Sequence, residues 1–184
     1  MKILITSIGS LSAESAIKSL GQMPHASIYG CNSTPANWLF CSMLVKKFYQ
    51  VPPAVKEAEY LSAVLAICQS EKIHYLIPLT DLEVDLLDKH RDQFNKTNTV
   101  LCIPEKLTVA LARNKLALAQ HFNANSYVIP IPSMHIKDWQ GGSFPFPLTL
   151  KPISGRSSEG LCWAEDQADL AYYLNKHSDK DYLI

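Results

Sequence analysis

Two lysines and one loop carry the chemistry that residue types alone make visible. Lys151 ends a short apolar run, FPFPLTL, and PISGRSSEG follows before a second apolar run, LCWA. A hairpin needs two to five loop residues. This connection is longer, and it holds Ser154, Gly155, Arg156, Ser157 and Ser158. Their backbone N–H groups, hydroxyls and guanidinium are hydrogen-bond donors, which suit a phosphate. The lysine precedes the glycine-containing segment, so the stretch is not a P-loop. Lys115, 36 residues earlier, stands in the helical pattern ARNKLALAQHF. Either lysine alone reads as a solvated surface side chain; the combination with the loop makes a candidate phosphate site. An ammonium 4 Å from a phosphate charge gains about 1 kcal/mol in water and about 4 kcal/mol where the effective dielectric is near 20. Such a site is effective only when something covers it.

A second candidate group follows the apolar run IHYLIPL: Thr80, Asp81 and Glu83, with Ser10 in the turn after the first apolar run. Ligands of open α/β sheets bind at the carboxyl ends of the strands, where these residues fall. Thr80 or Asp81 equally suits the N-cap of the helix DLEVDLLDKH. The turn TSIGSLSAESA holds Gly9 but no GxGxxG, so a dinucleotide fingerprint is missing. The six histidines show no i, i+4 pair and the five cysteines no CxxC. Neither metal ligation nor a disulfide framework is expected, and the cysteines read as reduced, buried thiols of a cytoplasmic protein.

The elements that must position these residues alternate. KILITS, HASIYGCN, KKFYQV, IHYLIPL and TVLCIP read as strands. LSAESAIKSL reads as a helix stopped by Gly21, with Leu11, Ile17 and Leu20 on one face. KEAEYLSAVLAICQSEK reads as another, with Leu61, Val64, Leu65 and Cys68 at i, i+3, i+4 and i+7. DLEVDLLDKHRDQF is expected to form one continuous helix, and Pro104 to begin the next. This βαβ alternation predicts a parallel sheet covered on both faces, over residues 1–112. Residues 113–184 differ: a helix, the Pro-containing extended connection NANSYVIPIPSM, two strands joined by the candidate loop, a helix capped by Asp166, and a strand at DYLI. This second part looks thin for a core of its own. The fold class expected is α/β, a Rossmann-like parallel sheet followed by an incomplete α+β lobe.

Seventeen basic residues balance seventeen acidic ones across 184 residues, of which 47% are apolar. Zero net charge gives no basic footprint for nucleic acid. No apolar run approaches the roughly 20 residues of a membrane span.

In these segments the sequence resembles the N-terminal part of ATP-grasp enzymes, in particular proteins similar to shortened large subunits of carbamoyl phosphate synthase. The resemblance runs through KILITS, FYQVPP, EYLSAVLAICQSEKIHYLIPLTDLEVDLL, RNKLALAQHF, PLTLKPISGRSSEG and DYLI. It implies a pre-ATP-grasp domain at 1–112 and the first part of an ATP-grasp domain at 113–184, ending before the hinge that holds adenine. It implies transfer of the ATP γ-phosphate to a carboxylate or bicarbonate, and displacement by an amine-type nucleophile. Lys115 then matches the lysine of an Asp-Lys pair, with Asn114 in place of the aspartate. Lys151 matches the lysine of a V-x-K-P strand, and Ser154, Gly155, Arg156, Ser157 and Ser158 match the loop that folds over the triphosphate. ATP and magnesium are the implied cofactors. Catalytic and magnesium-binding residues are expected in a further C-terminal lobe, supplied in cis or in trans, so this chain alone is expected to be inactive and to bind ATP no better than millimolar. A homodimer is the implied assembly. Two other readings stay open: a non-catalytic ligand-binding module working through Ser10 and Asp81, and a split subunit whose DYLI edge pairs with a separately encoded half.

Overall fold

The computed structural model describes residues 1–124 and 128–184, so the connection expected at NANSYVIPIPSM lies partly outside the described residues. The chain divides into two compact units, Met1–Pro104 and Glu105–Ile184. The division falls between residues 104 and 105, ahead of a helix at Lys106–Arg113.

The first unit is built on five parallel strands: β1 (Lys2–Ile5), β2 (Ser27–Asn32), β3 (Lys47–Gln50), β4 (Tyr75–Ile77) and β5 (Val100–Leu101). Their order is β3-β2-β1-β4-β5, so the sheet grows in opposite directions from β1. Register pairs Ile3 with Ile28 and with Tyr75, and Ile5 with Gly30 and with Ile77. Successive strand residues point to opposite faces. Hence Ile3 and Ile5 join one apolar cluster and Leu4 the other. Both faces are buried, as a parallel sheet requires. The helices α1 (Ala13–Gly21), α2 (Glu57–Glu71), α3 (Asp81–Lys89) and α4 (Arg91–Asn95) supply the cover. From α2 the buried stripe is Tyr60, Leu61, Val64, Ile67 and Cys68. Each such side chain taken fully out of water contributes about 1.5–3 kcal/mol.

Three expectations are corrected here. Leu11 is fully exposed and precedes α1, whose buried residues are Ala13 and Ile17. The helix expected over DLEVDLLDKHRDQF is two helices, because His90 leaves helical geometry at φ −117° and ψ 21°. Arg91 restarts the chain there, bonded to Asp88 Oδ1 at 2.6–2.7 Å and to the carbonyl of Pro104. Between β2 and β3, residues Ala36–Trp38 and Phe40–Met43 form short 3-10 turns where no element is expected.

The second unit contains α5 (Lys106–Arg113), α6 (Lys115–Asn123), β6 (Leu148–Pro152), β7 (Cys162–Ala164), α7 (Gln167–Lys176) and β8 (Tyr182–Leu183). Asn114 separates α5 from α6, and its side chain caps α6 by accepting from the Ala117 N–H at 2.9 Å. The three strands are antiparallel in the order β7-β6-β8. Leu148 and Leu150 turn to one face and pack with Ala164, Leu170 and Tyr182. Asp166 caps α7, accepting from Ala168 and Asp169 N–H groups at 2.8 and 3.0 Å. The edge read at DYLI is not bare: Met134 and Ile184 exchange both backbone hydrogen bonds at 2.9 Å, and Tyr182, Leu183 and Ile184 are buried.

Candidate functional site

Lys151 follows the buried Leu150 on β6, so the strand's alternation places it with Thr149 on the face opposite Leu148 and Leu150. That face opens on a cavity of about 380 Å³ whose lining includes Thr149, Lys151, Phe144, Pro147, Leu183 and Ile184. The cavity is mainly apolar with a lysine at one side.

Lys115 reaches the same strand's continuation. Its backbone N–H donates to the Ile153 carbonyl at 3.0 Å. Its ammonium donates to the Gly155 carbonyl at 3.1 Å and approaches the Ile153 carbonyl at 3.5 Å. The start of α6 is thereby tied to Ile153 and Gly155, just beyond Pro152. Ser154, Arg156, Ser157 and Ser158 are exposed, and Gly155 is half-buried. Ser157 and Ser158 take φ values of 51° and 57°, and Gly160 one of 75°. Two turns close the loop, Glu159 N–H to Arg156 O at 3.0 Å and Leu161 N–H to Ser158 O at 3.1 Å. The geometry thus brings Lys115, Gly155 and the base of the loop together, with Lys151 on the strand that feeds it. Among the described residues, no group of three or more His, Cys, Asp or Glu side chains is placed to hold a metal ion.

In the first unit, Thr80 and Glu83 line a separate cavity of about 210 Å³ at the carboxyl edge of the sheet. Ser7, Asn32, Ser33, Pro52 and Tyr60 share its wall. Ser10 and Asp81 are not among its lining residues: Ser10 sits in the β1–α1 turn, its hydroxyl 3.4 Å from that of Ser12, and Asp81 opens α3 on the exposed side. Thr80 occupies the N-cap position, yet its hydroxyl bonds no backbone N–H. It donates instead to Glu83 Oε2 at 2.9 Å, and the Tyr60 hydroxyl donates to Glu83 Oε1 at 2.6 Å. Burial, with the Glu83 charge beside it, pushes the Tyr60 phenol well above its ordinary range, so it stays a donor at every physiological pH. The same burial raises the nearby Cys31 thiol, with Glu83 as the next cause. A Cβ at Gly9 would lie 2.4 Å from Asn32 Nδ2, so a larger residue there would push the Asn32 amide aside. Tyr60 and Asn32 escaped sequence reading; Tyr60 is 23 residues from Glu83, and only the spacing T-x-x-E marks the pair Thr80 and Glu83 as partners.

The five-stranded parallel sheet of the first unit, with the separate small antiparallel sheet of the second, matches the fold of the N-terminal part of ATP-grasp enzymes. Residues 3–102 match the family model described as PylC-like, N-terminal domain, and the chain belongs to that family. No curated protein matches it in sequence. Solved structures do match in fold. An N5-carboxyaminoimidazole synthetase from Staphylococcus aureus, complexed with ADP, aligns with a TM-score of 0.69 at 12% identity, covering 99% of this chain and 45% of that one. The biotin carboxylase domain of a 2-oxoglutarate carboxylase from Hydrogenobacter thermophilus, in complex with MgADP and bicarbonate, gives 0.67 at 15% identity, covering 99% and 43%. An L-amino acid ligase from Bacillus licheniformis gives 0.64 at 15% identity, with the same coverage. The chain spans less than half the length of these structures. No helix among the described residues is long and apolar enough to cross a membrane.

Proposed function

We propose that this chain is the front portion of an ATP-dependent carboxylate–amine ligase, residues 1–112 forming its pre-ATP-grasp domain and 113–184 beginning its ATP-grasp domain. Lys115, Lys151 and the loop Ser154–Ser158 contact the phosphates of Mg-ATP in this reading. A carboxylate or bicarbonate oxygen attacks the γ-phosphorus, ADP leaves, and an amine then displaces phosphate from the acylphosphate. The acid and magnesium ligands of that reaction come from a further lobe. The observation that carries the reading is the double tie from Lys115 to Ile153 and Gly155, which holds one cationic segment against the loop that follows the other lysine. Membership of the PylC-like family supports it, as does likeness in fold to enzymes solved with ADP.

The test is ATP-dependent phosphate release by the whole protein with a panel of amino acids. Lys115→Met and Lys151→Met are each expected to lower turnover about 100-fold or more, the usual effect of removing one charge-stabilising donor. Turnover unchanged in both variants would overturn the assignment of these lysines. A second reading is favoured by the cavity at Thr80 and Glu83: a binding module that performs no transfer. It predicts that Thr80→Ala, in the cavity wall, alters ligand binding while Lys151→Ala does not.

A further inference from the structure

The cavity in the first unit holds a buried carboxyl group whose two hydrogen-bond donors are uncharged. Glu83 is 3% exposed and lines the cavity. Its two oxygens accept from Tyr60 and Thr80, and neither donor carries charge. Among the described residues, every ion pair involves a different carboxylate. A cation in the cavity completes the arrangement.

The surroundings say which kind. Calcium and magnesium take six or more oxygen ligands, mostly carboxylates, carbonyls and water. One carboxylate faces this cavity, and no acidic or histidine cluster adjoins it among the described residues. The rest of the wall is divided between hydrocarbon, from Val51, Pro52, Val55 and Leu82, and the neutral polar side chains of Ser7, Asn32 and Ser33. A volume of about 210 Å³ is about seven water volumes at roughly 30 Å³ each, room for a molecule of a few heavy atoms. We propose that the cavity binds the protonated primary amine of a small aliphatic amino compound. Glu83 is the counter-ion, Tyr60 and Thr80 orient its carboxylate, and the hydrocarbon part lies against Val51, Pro52 and Val55. This rests on the ligase reading, which needs an amine, and gives that amine a place and a size.

The probe is n-butylammonium, followed through backbone amide shifts of the 184-residue chain, with 1-butanol and butyrate as matched controls. The amides of Ser7, Ser33, Val55 and Leu82 are expected to shift saturably with n-butylammonium, with at least tenfold weaker binding of butanol and no response to butyrate. Glu83→Gln is expected to weaken n-butylammonium binding tenfold or more. Val55 is 70% exposed at the rim, so Val55→Trp fills the cavity without touching the buried hydrogen bonds, and it should abolish the response. This second variant decides the matter if Glu83→Gln fails to fold. Equal binding of butanol, or a response unchanged in Val55→Trp, overturns the proposal. ATP titrated into the same sample reads the other unit through the Lys151 and Gly155 amides. An ATP response there with none from n-butylammonium overturns this inference alone. The converse pattern leaves the amine site standing and removes the phosphate assignment.

Discussion

Gly160 closes the candidate phosphate loop under two constraints. Its φ is +75°, and a Cβ would lie 2.7 Å from Tyr182 Oη and 2.9 Å from Pro152 Cγ. The tyrosine hydroxyl can swing aside, but the proline ring is fixed to the backbone of β6. At Gly155 the nearest atoms to such a Cβ are Pro152 Cβ at 3.5 Å and Lys115 Nζ at 4.0 Å, with no left-handed backbone. Gly160→Ala is therefore expected to cost about 1–3 kcal/mol and Gly155→Ala to stay within about 0.5 kcal/mol. Urea unfolding monitored in the second unit measures both; equal effects would remove the distinction. The loop as a whole was legible in sequence from its donors and its length. Its hinge was not, because Ser157 and Ser158 hold left-handed φ values that no serine advertises.

At the scale of elements, α2 ends on Lys72 in the left-handed conformation, φ 54°, where glycine is the usual occupant. The Ile73 N–H still reaches the Cys68 carbonyl at 2.9 Å, so the helix end is satisfied despite the strain. Lys72 is exposed. Lys72→Gly is expected to stabilise the chain by about 0.5–1 kcal/mol, read as a rise in thermal midpoint. Asp166→Ala at the start of α7 should cost about 1 kcal/mol by the same measurement. A fall for Lys72→Gly would mean that the lysine stem packs more than its exposure implies. The strands and long helices were readable because burial on both faces writes continuous apolar runs and 3.6-residue stripes into the chain. The break at His90 carries no glycine or proline; it follows from the reach of Arg91 to Asp88 and Pro104, a tertiary event. Glu83 was legible as a candidate and lies in the cavity wall, but its Tyr60 partner was read only as part of a helix, since the two residues are 23 apart and meet only where α2 packs beside α3.

At the scale of the whole molecule, each unit contains a group that ties its stability to acid, in different pH windows. In the second unit His177 is 5% exposed, stacks on Tyr182 with centroids 4.1 Å apart, and sets Nε2 3.5 Å from Cys162 Sγ. Burial first, then the nearby Lys180 and Lys176, hold its imidazole below the ordinary value. The unfolded chain therefore takes up the proton more readily, so this contribution to stability is complete above about pH 6.5 and declines as pH falls from there. In the first unit Glu71 Oε1 accepts from Lys47 at 2.7 Å and from the Tyr49 hydroxyl, joining the end of α2 to β3. Those hydrogen bonds, that of Lys47 foremost, pull its carboxyl down to about 2. Its contribution is complete above the ordinary carboxyl value of roughly 4.3 and is lost only as pH falls toward 2. Hydrogen exchange across a pH series, corrected for the intrinsic rate, should show peptides of α7 and β8 losing protection as pH falls below about 6.5 while those of α2 and β3 hold until below about pH 4. His177→Phe keeps the stacked ring and removes the titration, so it should flatten the upper decline. Glu71→Gln should flatten the lower one. A first unit that softens before the second, or an upper decline that persists in His177→Phe, would show that other groups govern the acid response.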